Sequence, residues 1–166
     1  MSVPAPRSLQ LEHLELHHFI AKAQHEKGAL GEAARLVGRL LESHCHKEES
    51  FALPPLTILP ALAEGRLERG MADFLPQAEW MKKNLHELVA EHHAILAALE
   101  KLVAAARAQD HFDYIEFAET LVNHIRAEEE IFYPAVILVG EYLRLRLGAR
   151  AGARIPGPKE HTPETQ

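Results

Sequence analysis

The chain has 166 residues, 47% of them hydrophobic and 25% charged, with a formal charge of -6. That is the make-up of one soluble globular domain with a full core, and the acidic balance argues against a nucleic-acid partner, since phosphate binding calls for a basic face. No apolar run reaches the roughly 18 residues of a membrane span, the first residues lack the basic start and apolar stretch of a secretion signal, and the single cysteine, Cys45, excludes an internal disulfide, so a reducing cytoplasm is the expected setting.

Aromatics are few while Ala and Leu abound, which favours helix over sheet. Residues 1–8 read as an N-terminal arm. A first helix is expected from Ser8, a cap after Pro6, to about residue 27, ending at Gly28. A second begins at Gly31 or Glu32 and runs to about residue 53, stopped by Pro54 and Pro55. The connection 54–75 holds one short helix near 59–64. The third long helix starts at Pro76, a first-turn proline, and runs to about residue 107. A turn at 110–113 leads into a fourth helix from Tyr114 to about Tyr133. Pro134 breaks or kinks it, and a last helical piece extends to Leu147. Residues 148–166 carry Gly, Pro and charge and are expected to form a mobile tail. The fold class is therefore all-α, an antiparallel up-down-up-down four-helix bundle over residues 9–147.

Twelve histidines stand out, and ten of them fall in the expected helices. His44 and Glu48, followed by Phe51 and Pro54, are matched 80 residues later by His124 and Glu128, followed by Phe132 and Pro134. Residues four apart are neighbours on a helix surface, so each His and Glu can reach one ion. Val37, Leu41, His44, Glu48 and Phe51 share one face, as do Phe117, Leu121, His124, Glu128 and Ile131. On the third helix His92 stands in the seam of Leu85, Leu88, Ile95, Leu99 and Leu102. On the first, His13, His17, Ile20 and Gln24 form a stripe. One core histidine from each of these two helices completes a set of six ligands: His17, His44, Glu48, His92, His124 and Glu128. Imidazole and carboxylate suit iron, manganese or zinc. A buried Glu without a partner is costly, and a divalent ion compensates two of them at once.

Leu16-His17-His18-Phe19-Ile20, Glu91-His92-His93-Ala94-Ile95 and the two His-x3-Glu-Glu segments, in this order, resemble the hemerythrin-like, or HHE cation-binding, family over roughly residues 9–140. The resemblance implies a four-helix bundle with a non-heme diiron centre. It gives bridging roles to Glu48 and Glu128 and terminal imidazole roles to His17, His44, His92 and His124. Oxygen-carrying members place two histidines four apart on the third helix, where this chain has Leu88 and Leu96 around His92. They also space the fourth-helix pair by five, which Glu129 satisfies, so Glu49 and Glu129 compete with Glu48 and Glu128. His13, His18 and His93 are alternative imidazoles. Cys45, beside a ligand, reads as an inert core or boundary residue, and Tyr133 as a donor near the site.

The expected function is binding of oxygen, nitric oxide or peroxide at two iron ions, with zinc or manganese as substitutes, for sensing, storage or stress protection. The alternatives are a diiron oxidase or peroxidase-type enzyme and an iron storage or delivery protein. The imidazole-rich set favours ligand binding over catalysis. The chain is expected to be a monomer or a homodimer.

Overall fold

A computed structural model of the chain describes residues 4–148, and these are helical with no strand among them. The helices are α1 (Arg7–Ala23), α2 (Gly28–Lys47), a short α3 (Leu59–Ala63), α4 (Leu75–Ala108), α5 (Phe112–Ala127) and α6 (Tyr133–Leu147). Single 3-10 turns at Pro54–Ile58 and Arg69–Phe74 flank α3. α1 ends earlier and α2 begins earlier than the glycines suggest, because Gly28 takes a positive φ of 67° and starts α2 rather than closing α1. Pro6, not Ser8, stands at the N-cap of α1. The tail expected at 148–166 lies outside the described residues apart from Gly148, whose left-handed backbone ends α6.

α1 packs on α2, α2 on α4, α4 on α5, and α5 back on α1, so these four helices enclose one interior. The buried faces repeat. Leu9, His13, Leu16, Ile20 and Ala23 of α1 are matched 79 residues later by Leu88, His92, Ile95, Leu99 and Leu102 of α4. Ala34, Val37, Gly38, Leu41 and His44 of α2 are matched 80 residues later by Tyr114, Phe117, Ala118, Leu121 and His124 of α5. The chain thus contains two similar halves, each contributing two helices to the interior.

Both His-x3-Glu segments end in a π turn, Glu48–Ala52 and Glu128–Phe132. The cause is local. Pro54 and Pro134 lie six residues after the glutamates, and a proline ring in an α-helix collides with the carbonyl four residues earlier. Widening the turn relieves this, and the Leu53 N–H donates to the Glu48 carbonyl five residues back at 2.8 Å, as the Tyr133 N–H does to that of Glu128. The extra residue shifts the buried register. Ile131, expected on the inner face, is exposed, and Phe51 is only half-buried, while Leu53 and Tyr133 are fully buried.

The interior has two apolar layers with a polar one between them. Ile20, Val37, Leu41, Ile95, Leu102, Phe117 and Leu121 belong to the first layer. Leu9, Leu53, Met81, Leu88, Tyr133 and Val136 belong to the second, against which α6 continues along α4. That contact depends on Gly140, where an added Cβ would overlap the Ala78 methyl. Gly140→Ala is therefore expected to destabilise the fold by about 1–3 kcal/mol, read as a lower denaturation midpoint.

Candidate metal centre

The polar layer consists of His13, His44, Glu48, His92 and Glu128, all buried, with the His124 side chain nearly so. Five of the six residues predicted from sequence meet here: His44, Glu48, His92, His124 and Glu128. His17 does not. It is half-buried and lines a surface depression with Glu42, His46 and Glu49, and burial, followed by the nearby His13, lowers its pKa. His13, one turn earlier, takes the inward place. His18 and His93 are exposed.

The six groups form two imidazole pairs joined by carboxylates. His13 and His124 meet edge to face at 5.1 Å between centroids, and His44 and His92 at 4.5 Å. Glu128 spans both pairs. Its Oε1 lies 2.9 Å from His124 Nε2 and 3.5 Å from His13 Nε2, and its Oε2 lies 3.2 Å from His92 Nε2. Glu48 Oε2 lies 3.4 Å from His44 Nε2 and 3.6 Å from His13 Nε2. Each pair takes one imidazole from each half of the chain.

The other face of every imidazole is also held. His13 Nδ1 meets Glu49 at 2.8 Å, His92 Nδ1 meets Glu129 at 2.7 Å, His44 Nδ1 meets Glu91 at 2.9 Å and His124 Nδ1 meets Glu12 at 3.2 Å. These contacts decide between the adjacent glutamates. Glu48 and Glu128 point into the layer, and Glu49 and Glu129 hold the far nitrogens of the histidines on α1 and α4. Sequence reasoning leaves Glu12 unnamed and names Glu91 only within the Glu91–Ile95 match, without a role. Each immediately precedes a site histidine, His13 or His92, and that shared Glu-His pair was the available signal. Glu91 is gripped in turn by Lys47, and His44 and Lys47 together outweigh burial to lower its carboxyl pKa.

With every Nδ1 bonded to a carboxylate, every Nε2 points inward. The inward atoms are largely orphaned. His13 Nε2, His44 Nε2, His124 Nε2, Glu48 Oε2 and both Glu128 oxygens face one another at 2.9 to 3.6 Å or toward His92 without a well-aligned hydrogen bond. Buried polar atoms are normally satisfied, and a carboxylate out of water costs roughly several kcal/mol even after relaxation. Among the described residues neither Glu48 nor Glu128 pairs with Lys or Arg. The missing compensation is positive charge, in the form of protons on the imidazoles or a bound cation.

The protonation pattern follows. Burial and the facing Glu128 drive the Glu48 carboxyl well above its usual range. Burial pushes Glu128 the same way, but His124, His13 and His92 overcome it and hold that carboxyl well below its usual range. Burial disfavours the His13 cation, but Cys45, Glu128 and Glu48 outweigh it and push its pKa up to about 11. His92 is also raised against burial, by Glu128 and Glu129. His44 stays lowered, because burial dominates there.

Tyr133 enters this layer through the π turn. Its hydroxyl donates to Glu48 Oε1 at 2.5 Å and lies 3.2 Å from His92 Nε2, with the two rings stacked at 5.6 Å. Leu53, its counterpart in the first half, has no polar atom to offer, so only one end of the layer has a phenol. Burial, followed by Glu48 and Glu128, raises the Tyr133 pKa, so the hydroxyl keeps its proton.

His13 and His17 can be told apart directly. If this layer holds metal, His13→Ala is expected to lower the amount bound per chain, whereas His17→Ala leaves it unchanged; elemental analysis of the purified variants reads both. Compared with protein-family models, curated proteins and solved structures, the chain matches none.

Proposed function

We propose that α1, α2, α4 and α5 form a hemerythrin-like four-helix bundle holding two iron ions, one on His13 and His124 and one on His44 and His92. Glu48 and Glu128, each of which faces an imidazole of both pairs, would help to hold both ions. The observation that carries this reading is the set of unpartnered inward Nε2 and carboxylate atoms, each imidazole fixed from behind by a carboxylate. A carboxylate on the far nitrogen is how metal-binding histidines are commonly oriented. Four imidazoles with two carboxylates suit iron, and manganese or zinc can replace it.

Bound iron would supply redox-active chemistry, and oxygen, nitric oxide or peroxide is the proposed class of ligand. The protein supplies access and a proton. A groove of about 660 Å³ between α1 and α5, with Leu16, Phe19, Phe117 and Phe132 among its walls, reaches His124. Glu12, Glu15, Asp113 and Glu116 line it as well, so the groove offers apolar walls to a small neutral molecule and disfavours anions. Tyr133 holds a proton at its hydroxyl beside Glu48 and His92, where a bound ligand would gain charge. No helix among the described residues is long and apolar enough to cross a membrane; we place the protein in the cytoplasm, as a monomer or homodimer.

The test is metal analysis of protein purified without chelator, followed by absorption spectra with and without oxygen. Near two irons per chain, and a visible charge-transfer band that comes and goes with oxygen, are expected. No bound metal after iron-replete expression, with thermal stability unmoved by added iron, refutes the reading. Sustained turnover of peroxide would move it to the enzyme alternative.

A further inference from the structure

The two imidazole pairs are related by the repeat, but their surroundings differ in one donor atom. Cys45 follows His44 on α2 and is buried. A ring nitrogen of His13, the Cys45 sulfur and a Glu48 oxygen all lie within 4.8 Å of one another. His13 and Glu48 are each at least 98% buried, and His13 Nε2 and Glu48 Oε2 are without partners. The position that matches Cys45 in the second half, 80 residues on, is Ile125. Both side chains belong to the same apolar layer, yet only Cys45 brings an atom that can bind an ion.

We propose that Cys45 is a metal ligand beside His13 and Glu48, so that the two subsites of the iron centre are chemically unlike and the one with the sulfur is the one into which a softer ion exchanges first. This rests on the dinuclear reading above and adds which ion each subsite prefers. The His44–His92 subsite offers only nitrogen and oxygen, a set that suits iron or manganese. Nitrogen, oxygen and thiolate together favour zinc, because soft sulfur ligands discriminate for it. A buried cysteine commonly acts as a small apolar side chain. Ile125 shows that this position needs nothing more for packing, and what separates Cys45 from it is the orphaned imidazole and carboxylate within reach. When the ion binds, the S–H bond breaks, the proton passes to solvent and the sulfur donates its electron pair to the metal. No oxidant or reductant is consumed.

The same subsite has its own route from solvent. A depression of about 480 Å³ between α1 and α2 reaches Cys45 and His13, with His17, Glu42, His46 and Glu49 on its walls. Arg7 lines the same path, and Glu42 and Glu49 outnumber it, which leaves a small net negative charge that favours a cation over an anion. The half-buried His17 thus belongs to the approach to the centre rather than to the centre.

Cobalt(II) titration of the full chain, stripped of metal by chelator, tests the proposal, since cobalt bound to nitrogen and oxygen absorbs in the visible while a cobalt–sulfur bond adds a near-ultraviolet charge-transfer band. The expected result is two equivalents bound, a sulfur band that saturates with one of them, and loss of that band alone in Cys45→Ser and Cys45→Ala. One equivalent of zinc should then erase the sulfur band before the remaining visible absorption. Two bound cobalt ions without a sulfur band in the unaltered chain overturn this inference and leave the dinuclear reading standing. No cobalt binding overturns both. Loss of the visible bands before the sulfur band overturns the assignment of the softer ion. The spectrum of the unaltered chain decides the ligand question even if a variant fails to fold.

Discussion

Glu128→Gln is expected to empty both metal subsites, while Glu129→Gln, one residue away, keeps two ions and binds them 10- to 100-fold more weakly. The difference comes from where each carboxylate points. Glu128 faces His13 and His124 with one oxygen and His92 with the other, so its amide replacement removes charge and a ligand atom from both pairs at once. Glu129 touches only His92 Nδ1, and losing such an orienting partner costs about 10- to 100-fold in affinity without removing a ligand. Metal analysis after dialysis against trace metal reads the stoichiometry, and competition with a chelator reads the affinity. If Glu129→Gln loses its metal and Glu128→Gln keeps it, the placement of these two glutamates is wrong.

The second large effect is on stability, and it depends on pH. Without metal, the His13 cation stands in for the missing charge. Its pKa is raised from 6.5 to about 11 on folding, so its contribution is complete below 6.5 and drains away as pH climbs towards 11. His92, also raised, adds loss in the same direction. The elevated Glu48 carboxyl does likewise, its contribution being present below 4.5 and lost above. Glu128 runs the other way, stabilising above 4.5 and ceasing to do so only as pH falls through its depressed pKa. The metal-free protein should therefore melt at progressively lower temperature from pH 6.5 to pH 9. Divalent metal bound as proposed would replace these protons and compete with them, so its binding is expected to tighten as pH rises. At about a thousandfold excess over its dissociation constant it adds about 4 kcal/mol. Thermal melts across this range, with and without metal, should show a gap that widens with pH. A gap that narrows would mean that protons do not occupy the site in place of the ion.

Much of this arrangement is legible from spacing alone. Period and punctuation place α3 and α4 to within a residue at each end, with Pro76 and the apolar seam leaving α4 little freedom. His44, Glu48, His92, His124 and Glu128 were readable for the same reason. The histidine doublets His17-His18 and His92-His93, 75 residues apart, favour His17 over His13 in the sequence. Helical period could not correct this, since residues four apart share a stripe and what separates them is height along the bundle, a tertiary property. The repeat carried the answer, because the 79-residue spacing of Leu9 with Leu88 also pairs His13 with His92. The shift of Ile131 to the surface was hidden in a different way. It follows from how the backbone resolves a proline clash, and pattern counting assumes that the period continues. Glu12 and Glu91 look like ordinary solvent-facing glutamates until the partner helix is in place.

The distribution of imidazoles over the two halves has a consequence for assembly. Each proposed ion draws one histidine from α1 or α2 and the other from α4 or α5, so neither half can close a coordination sphere by itself. Metal bound as proposed would act as a clasp between residues 111 positions apart in one pair and 48 in the other, and its release would loosen the seam between halves before it loosens either half. A chain severed in the 59–74 connection should bind metal only as its two fragments recombine. Because the halves carry the same pattern of buried positions, two copies of one fragment have a ready-made way to pair around the ions, and the intact chain has the ingredients for an exchange of halves between molecules.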